Sequence, residues 1–423
     1  MSIKILDLFA GAGGFSEGFY LNNCDLVAHI EMDKNACDTL VTRAIFYALK
    51  KKNKLEYYNK YLLGKINRDD IINKFHLEKE CDSVIQTEIS KDNYTSLINE
   101  VKKRLNGEKL DIIIGGPPCQ AYSMIGRSRD VNGMKGDKRN FLYKYYIEFL
   151  IGLKPKVFIF ENVLGLKTAG GGKYLKDMQI LMNKAGYHTN FKVLNAANYG
   201  VPQNRKRIIL VGWDKKIGIN EYPDFREIKR DYLVKDFLSD LPVIKHGHSV
   251  KYMRYKNNSV FLKKIGIRDE KTYTITDHIT RPQTKRDLKI YKIALDKYNK
   301  GKFLKYNELP QELITHRNTE AFLDRFKVVD SKAKASQTVV AHISKDGHYY
   351  IHPDKKQLRS LSVREAARLQ TFPDSYKFEG SRTAQFKQIG NAVPPMLSKL
   401  IANKLLDILK KNEKSVKKYK TTI

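Results

Sequence analysis

Short apolar runs rich in β-branched residues at 3–8, 26–30, 110–114, 157–160 and 208–211, each ending in a loop of Gly, Pro or acid, constrain the fold more than any other feature of this chain. Runs of that length without polar alternation suit parallel strands buried on both faces. Helix-compatible segments such as 38–50 and 141–153 lie between them, so β and α alternate. The pattern predicts an α/β fold with a doubly wound, mostly parallel sheet over residues 1–213. After Trp213 the order fades, and 214–352 mixes Lys, Tyr, Asn and Thr with scattered prolines, which reads as a second, smaller, irregular domain. Helical periodicity returns after Ser362, which with Glu365 forms a capping-box pattern, so 353–423 is expected to rejoin the first domain. It should close with a helix over 395–409 and a frayed Lys-rich tail.

With 78 Lys and Arg against 46 Asp and Glu, the 423-residue chain carries a formal charge of +32, which favours a polyanionic partner. An AT-rich genome would inflate the same residue types, so charge alone does not separate nucleic-acid binding from composition. None of the four cysteines forms a C-x-x-C pair, which argues against a zinc ribbon or a dithiol redox site and for a reducing cytoplasm. The sequence opens directly on Ile3-Lys4-Ile5-Leu6-Asp7, with no signal-like core, and no stretch approaches membrane-spanning length.

Asp7-Leu8-Phe9-Ala10-Gly11-Ala12-Gly13-Gly14-Phe15-Ser16 follows the first strand and precedes a helix, where doubly wound folds bind nucleotides. A dinucleotide fingerprint would need another glycine at position 16, where Ser16 stands. Glu31, closing the second strand, is suited to ribose hydroxyls, so the pair fits a nucleoside cofactor without a diphosphate. Gly115-Gly116-Pro117-Pro118-Cys119-Gln120 puts a cysteine on a rigid turn at the same sheet edge. Cys24, Cys37 and Cys81 read instead as small apolar residues. Glu161 ends a further apolar strand, and Gln203-Asn204-Arg205-Lys206-Arg207 alternates two arginines before the next, able to share a face.

In this order the segments resemble the DNA (cytosine-5) methyltransferase family of bacterial restriction-modification systems. The resemblance extends through Arg364-Glu365-Ala366-Ala367-Arg368-Leu369-Gln370, Phe372-Pro373-Asp374 and Gln388-Ile389-Gly390-Asn391-Ala392-Val393. It implies the S-adenosylmethionine-dependent methyltransferase fold, with 214–352 as target recognition domain. Cys119 would be the nucleophile. Glu161 would hold the N3 and amino edge of cytosine, and Arg205 and Arg207 would support that carboxylate and the base carbonyl. Phe9, Gly11, Gly13, Gly14, Glu31, Glu88, Pro117 and Asn391 would contact S-adenosylmethionine, and Gln120, Ser123 and Thr338 would contact DNA. Arg364 and Glu365 look structural in the family. The target cytosine would be flipped out of the duplex, with 121–138 closing over it.

Two departures stand out. The gap between Glu31 and Glu88 exceeds a minimal strand-helix-strand unit, so about 50–80 reads as an inserted helical excursion, and Glu88 replaces a customary Asp. His342, His348 and His352 have no cysteine beside them, and no metal is expected. The alternatives are the same chemistry on transfer RNA, a DNA-binding regulator with a vestigial site, and a nicotinamide oxidoreductase. The basic recognition region favours duplex DNA over RNA, the intact Cys119, Glu161 and Arg207 set opposes the regulator, and Ser16 opposes the oxidoreductase. The resemblance further implies a monomer that protects DNA from a partner endonuclease.

Overall fold

The computed structural model describes residues 2–118, 142–229, 231–269 and 274–420, with side chains to residue 413. Its main sheet has seven strands in the order β3-β2-β1-β4-β5-β7-β6. They are β1 (Lys4–Leu8), β2 (Asp25–Glu31), β3 (Val84–Gln86), β4 (Ile112–Gly115), β5 (Val157–Val163), β6 (Tyr187–Asn195) and β7 (Lys206–Asp214). The first five are parallel. The run at 208–211 is buried as expected but belongs to an antiparallel strand, since β7 pairs antiparallel with both β5 and β6. Burial on both faces imprints the same apolar run whichever direction a strand takes. β6 had no such imprint, because its outer edge is half exposed and polar.

Alternate residues feed two cores, as strand geometry requires. Leu6, Leu8, Ile113, Phe158 and Phe160 pack under Tyr146 and the helices Tyr94–Leu105, Leu142–Leu153 and Lys173–Lys184. Ile5, Ile112, Ile114, Ile159 and Val211 pack on the other face against Phe15, Phe19, Leu397, Ile401 and Leu405. The three isoleucines of β4 are wholly buried, each contributing roughly 1.5–3 kcal/mol of transfer free energy.

The first helix, Gly14–Tyr20, packs directly on the last, Pro395–Lys420. A Cβ on Gly18 would stand 2.3 Å from the backbone of Ser398 and Lys399, so only glycine permits that approach. The last helix does not fray at 410 but runs to Lys420, anchored by Lys156 Nζ on Glu413 Oε1 (2.7 Å) and Asn412 Nδ2 donating to the Ile217 carbonyl (2.9 Å).

Within 214–352 the described residues hold one two-stranded sheet, β8 (Tyr252–Arg254) with β9 (Thr274–Thr276), and one long helix, Lys285–Asn299. A buried ion network joins this region to the helix Val363–Leu369, whose Ser362 and Glu365 do form the capping box. Arg359 grips Glu365 with two 2.7 Å bonds, Arg364 donates to the Thr276 (3.0 Å) and Tyr376 (2.7 Å) carbonyls, and Arg368 holds Asp374 (2.9 and 2.6 Å) and Asp240. The structural reading of Arg364 and Glu365 agrees with these contacts.

His278 and His352 lie in the same network, and burial pushes both down to about 4. Each is neutral in the folded chain, so their contribution is intact above the ordinary histidine range near 6.5 and is lost as pH falls from there toward 4. Stability should drop by about 1.4 kcal/mol per pH unit per histidine across that window. Urea unfolding midpoints at pH 7.5 and 5 report it, and the His278→Gln, His352→Gln double variant should show a flatter profile. An unchanged profile would place the acid sensitivity elsewhere.

Candidate active site

The strand order reverses between β1 and β4, which both lie mid-sheet, and the crevice beyond their carboxyl ends is where open α/β sheets bind ligands. Two loops flank it, Phe9–Gly14 after β1 and Gly116–Pro118 after β4. Phe9, Gly11 and Gly13 all have positive φ (57°, 54° and 75°), and strain of this kind at a non-glycine costs roughly 1–3 kcal/mol. A Cβ on Gly11 would meet nothing within 4 Å, so this glycine borders open space. The other two glycines are required by packing. A Cβ on Gly13 would lie 2.7 Å from Leu40 and 2.9 Å from the Tyr376 hydroxyl, and one on Gly14 would lie 2.3 Å from the Val393 carbonyl.

Glu31, at the end of β2, accepts from Gly11 N–H at Oε2 and from Asp33 N–H at Oε1, both at 2.8 Å. Burial pushes its carboxyl up, and those amides partly offset the effect. Each oxygen keeps lone-pair capacity for a hydroxyl. Ser16 Oγ donates inward to the Gly13 carbonyl (3.1 Å) and is buried, so the turn offers no phosphate cradle. Open space at Gly11 beside a carboxylate acceptor fits an uncharged ribose, as a nucleoside cofactor such as S-adenosylmethionine carries. Glu88 is exposed two residues beyond β3, whose end pairs with Glu31. Asn391 is exposed at the end of the helix Arg382–Asn391, in the segment whose Val393 carbonyl presses on Gly14.

On the far side of the crevice, Gly116 lets β4 approach Glu161: a Cβ there would stand 2.9 Å from both the carbonyl and Oε2 of Glu161. Asn162 Nδ2 donates to the Pro117 carbonyl (3.3 Å), tying the two strand ends together. Arg207 Nε lies 3.0 Å from Glu161 Oε1, each side chain 13% exposed. Opposite strand directions bring them together, because Val163 is the partner of Arg207 across the β5–β7 ladder. Cys119, Gln120, Ser123 and the expected lid at 121–138 lie outside the described residues.

The two arginines do not share a target in the described contacts. Arg205 is buried and donates from Nη1 to the carbonyls of Val339 (2.7 Å) and Gly390 (3.3 Å), while Arg207 is the arginine paired with Glu161. It sits one residue before β7, where the segment 336–340 crosses the chain: Gln203 bridges Ser336, and Thr338 Oγ1 donates to the Asn204 carbonyl. Thr338 is therefore half-buried with its hydroxyl engaged by the protein.

Sequence reasoning gave no role to two buried amides that join these parts. Gln203 Nε2 donates to the Leu369 carbonyl and to Gln370 Oε1 (both 2.8 Å), and its Oε1 accepts from Val339 N–H (2.9 Å). Gln370 Nε2 donates to the Ile389 (2.6 Å) and Ala392 (3.3 Å) carbonyls. Both stand in quoted motifs, so the signal was present without its meaning. The three histidines scatter: His352 faces Glu365 (3.4 Å), His348 bonds Tyr291 (2.9 Å) and His342 neighbours Asp346 (4.0 Å).

A seven-stranded sheet with a crevice at its switch point, a glycine loop and the Glu31 carboxylate on one side and a paired Glu and Arg on the other, has the fold of the S-adenosylmethionine-dependent methyltransferases. The family of C-5 cytosine-specific DNA methylases matches residues 3–72 and 70–407, and the chain belongs to it: it is a DNA (cytosine-5) methyltransferase. The two matched stretches overlap within the helix Arg68–Phe75. The type II methyltransferase M.Bpa9945I of Bacillus paralicheniformis is 41% identical, over 96% of this chain and 99% of its own length. M.AgeI of Thalassovita gelatinovora, also a type II methyltransferase, is 30% identical over 95% and 98%. Among solved structures, an E. coli protein assigned as a prophage-encoded DNA modification methyltransferase shares the fold, with a TM-score of 0.64 at 22% identity, covering 97% of this chain and all of that one. Among the described residues no helix is long and apolar enough to cross a membrane.

Proposed function

We propose that this enzyme methylates carbon 5 of one cytosine within a specific duplex DNA sequence, and that it guards that sequence against a partner restriction endonuclease. The observation that carries the reading is the Glu161 and Arg207 pair across the crevice from the Gly11 and Glu31 pair. Phe9, Gly11, Glu31, Glu88, Pro117 and Asn391 hold S-adenosylmethionine, with Gly13 and Gly14 shaping the loop. When bound, that cofactor supplies an electrophilic methyl group.

Carbon 5 of cytosine is too weak a nucleophile to accept that methyl unaided. Cys119, as thiolate, adds to carbon 6 and pushes electron density to carbon 5. Glu161 holds the N3 and amino edge, stabilising charge that develops in the ring, and Arg207 fixes the carboxylate. Carbon 5 would take the methyl as its bond to the sulfonium sulfur breaks, the pair staying on sulfur in S-adenosylhomocysteine; a base then removes the carbon 5 proton and the cysteine leaves as thiolate, restoring the enzyme. Arg205 acts indirectly, tying the Val339 and Gly390 backbones to the start of β7. The region 214–352 reads the target with Thr338 and with Gln120 and Ser123 from the cysteine loop, and one active site on a monomer suffices for one flipped base.

The test is transfer of labelled methyl from S-adenosylmethionine to unmethylated duplex DNA and, in parallel, to transfer RNA, with bisulfite sequencing of the DNA product. Label should enter cytosine at one DNA sequence and be absent with Cys119→Ala. Label in RNA alone would overturn the substrate assignment. Protection of plasmid DNA from one type II endonuclease is the matching expectation in cells expressing the enzyme.

A further inference from the structure

The inserted segment has its own small core, formed by the helices Leu55–Leu62, Arg68–Phe75 and Glu78–Cys81 against the helix Lys34–Lys51. Its inner face reaches much further. Tyr58 donates to the Ser375 carbonyl (2.8 Å), and Tyr61 to Glu379 Oε1 (2.5 Å). Ser375 precedes Tyr376, whose hydroxyl donates to the Ala12 carbonyl inside the glycine loop.

Between these contacts sits Arg43, buried with the rings of Phe46, Tyr47 and Tyr376 at 4.0, 4.8 and 4.6 Å from its guanidinium carbon. It grips Glu17 of the first helix twice, at 2.9 and 2.5 Å, and donates from Nη1 to Ser375 Oγ (3.3 Å). Tyr58, Arg43, Glu17 and Tyr376 are all at most 4% exposed.

We propose that the inserted helices are a strut for the cofactor loop, and that Tyr376 is the positioning residue through which they act. The proposal rests on the reading that Gly11 and Glu31 hold S-adenosylmethionine. Three of the five residues from Phe9 to Gly13 have left-handed backbone, two of them glycines, and such a loop has many competing conformations when free. Anchoring the Ala12 carbonyl between Gly11 and Gly13 removes those competitors before the cofactor arrives, and preorganisation of that kind appears as affinity. The Tyr376 phenol does this from a fixed place, because Arg43 holds its ring and Tyr58 holds the neighbouring peptide.

The full-length chain is titrated calorimetrically with S-adenosylhomocysteine in the absence of DNA, for wild type, Tyr376→Phe, Tyr58→Phe, the double variant and Glu31→Ala. Tyr376→Phe keeps the ring and its packing, and should raise Kd roughly tenfold, with a parallel rise in KM for S-adenosylmethionine and little change in kcat. Tyr58→Phe should give a smaller rise, and the double variant no more than Tyr376→Phe alone. A lowered unfolding midpoint with unchanged Kd in Tyr376→Phe would make the contact merely structural and overturn the proposal. Additive losses in the double variant would overturn the route through Tyr376. Glu31→Ala separates the two readings: if it weakens binding while Tyr376→Phe does not, the strut alone fails, and if neither does, the assignment of the cofactor loop fails too.

Discussion

Glu161→Gln is expected to lower the single-turnover rate of methyl transfer by roughly 10²–10⁴-fold, the range for losing a group that holds or moves a proton at the reacting ring. The amide keeps the shape and the close fit against Gly116, so the backbone should not move. What changes is the proton chemistry: glutamine can neither form the ion pair with Arg207 at 3.0 Å nor give up a proton to N3 as the thiolate adds. S-adenosylhomocysteine should bind as in wild type, because Glu161 stands in the last half of β5, across the crevice from the Gly11 and Glu31 pair. Arg207→Leu should follow in the same direction with a smaller loss. A reduction of less than about fivefold in Glu161→Gln would remove this carboxylate from the chemistry.

Arg368→Met should cost about 3–5 kcal/mol of stability, the usual penalty for stranding a buried charge. Arg368 is fully buried between Asp374 and Asp240, themselves without exposed surface, and also bonds the Phe237 carbonyl (2.8 Å). Methionine fills much of the volume but leaves two carboxylates short of a partner. Asp374 keeps Tyr255 (2.8 Å) and Asp240 keeps Arg268 (2.8 Å), which holds the loss within that range. Chemical denaturation measures it, and adding Asp374→Leu should recover part of the loss by removing one stranded charge. A midpoint within error of wild type would mean that the site collapses or hydrates freely.

The parts of this molecule that were legible in the sequence are those with a local imprint. Strands buried on both faces show as apolar runs, the strained loop after β1 shows as glycines, and the acids at the end of β2 and within β5 show by following such runs. Strand direction left no imprint, which is why β7 read as parallel. Arg205 illustrates the other limit. Its spacing from Arg207 suits a shared face, but its Nη1 meets carbonyls of Val339 and Gly390, 134 and 185 residues away in sequence. Gln203 and Gln370 meet across 167 residues, and nothing in either neighbourhood marks the pairing. Buried arginines such as Arg359 and Arg368 look like solvated charge until their carboxylates are located. The reach of the helix Leu55–Leu62 was hidden for the same reason, since Tyr58 meets a partner 317 residues away.

The contact of the first helix with the last has a consequence for how the enzyme comes into being. Ser398 donates to the carbonyl of Phe15, 383 residues earlier, and Gly14 lies against Val393. A ribosome delivers the glycine loop long before the layer that covers it. Until then the apolar side of the first helix, with Phe15 and Phe19, waits for Leu397, Ile401 and Leu405. Closure over such separations is slow, and the waiting surface is open to aggregation and chaperones. A nascent chain that has not yet delivered the helix Pro395–Lys420 therefore holds its glycine loop without the layer that packs on it.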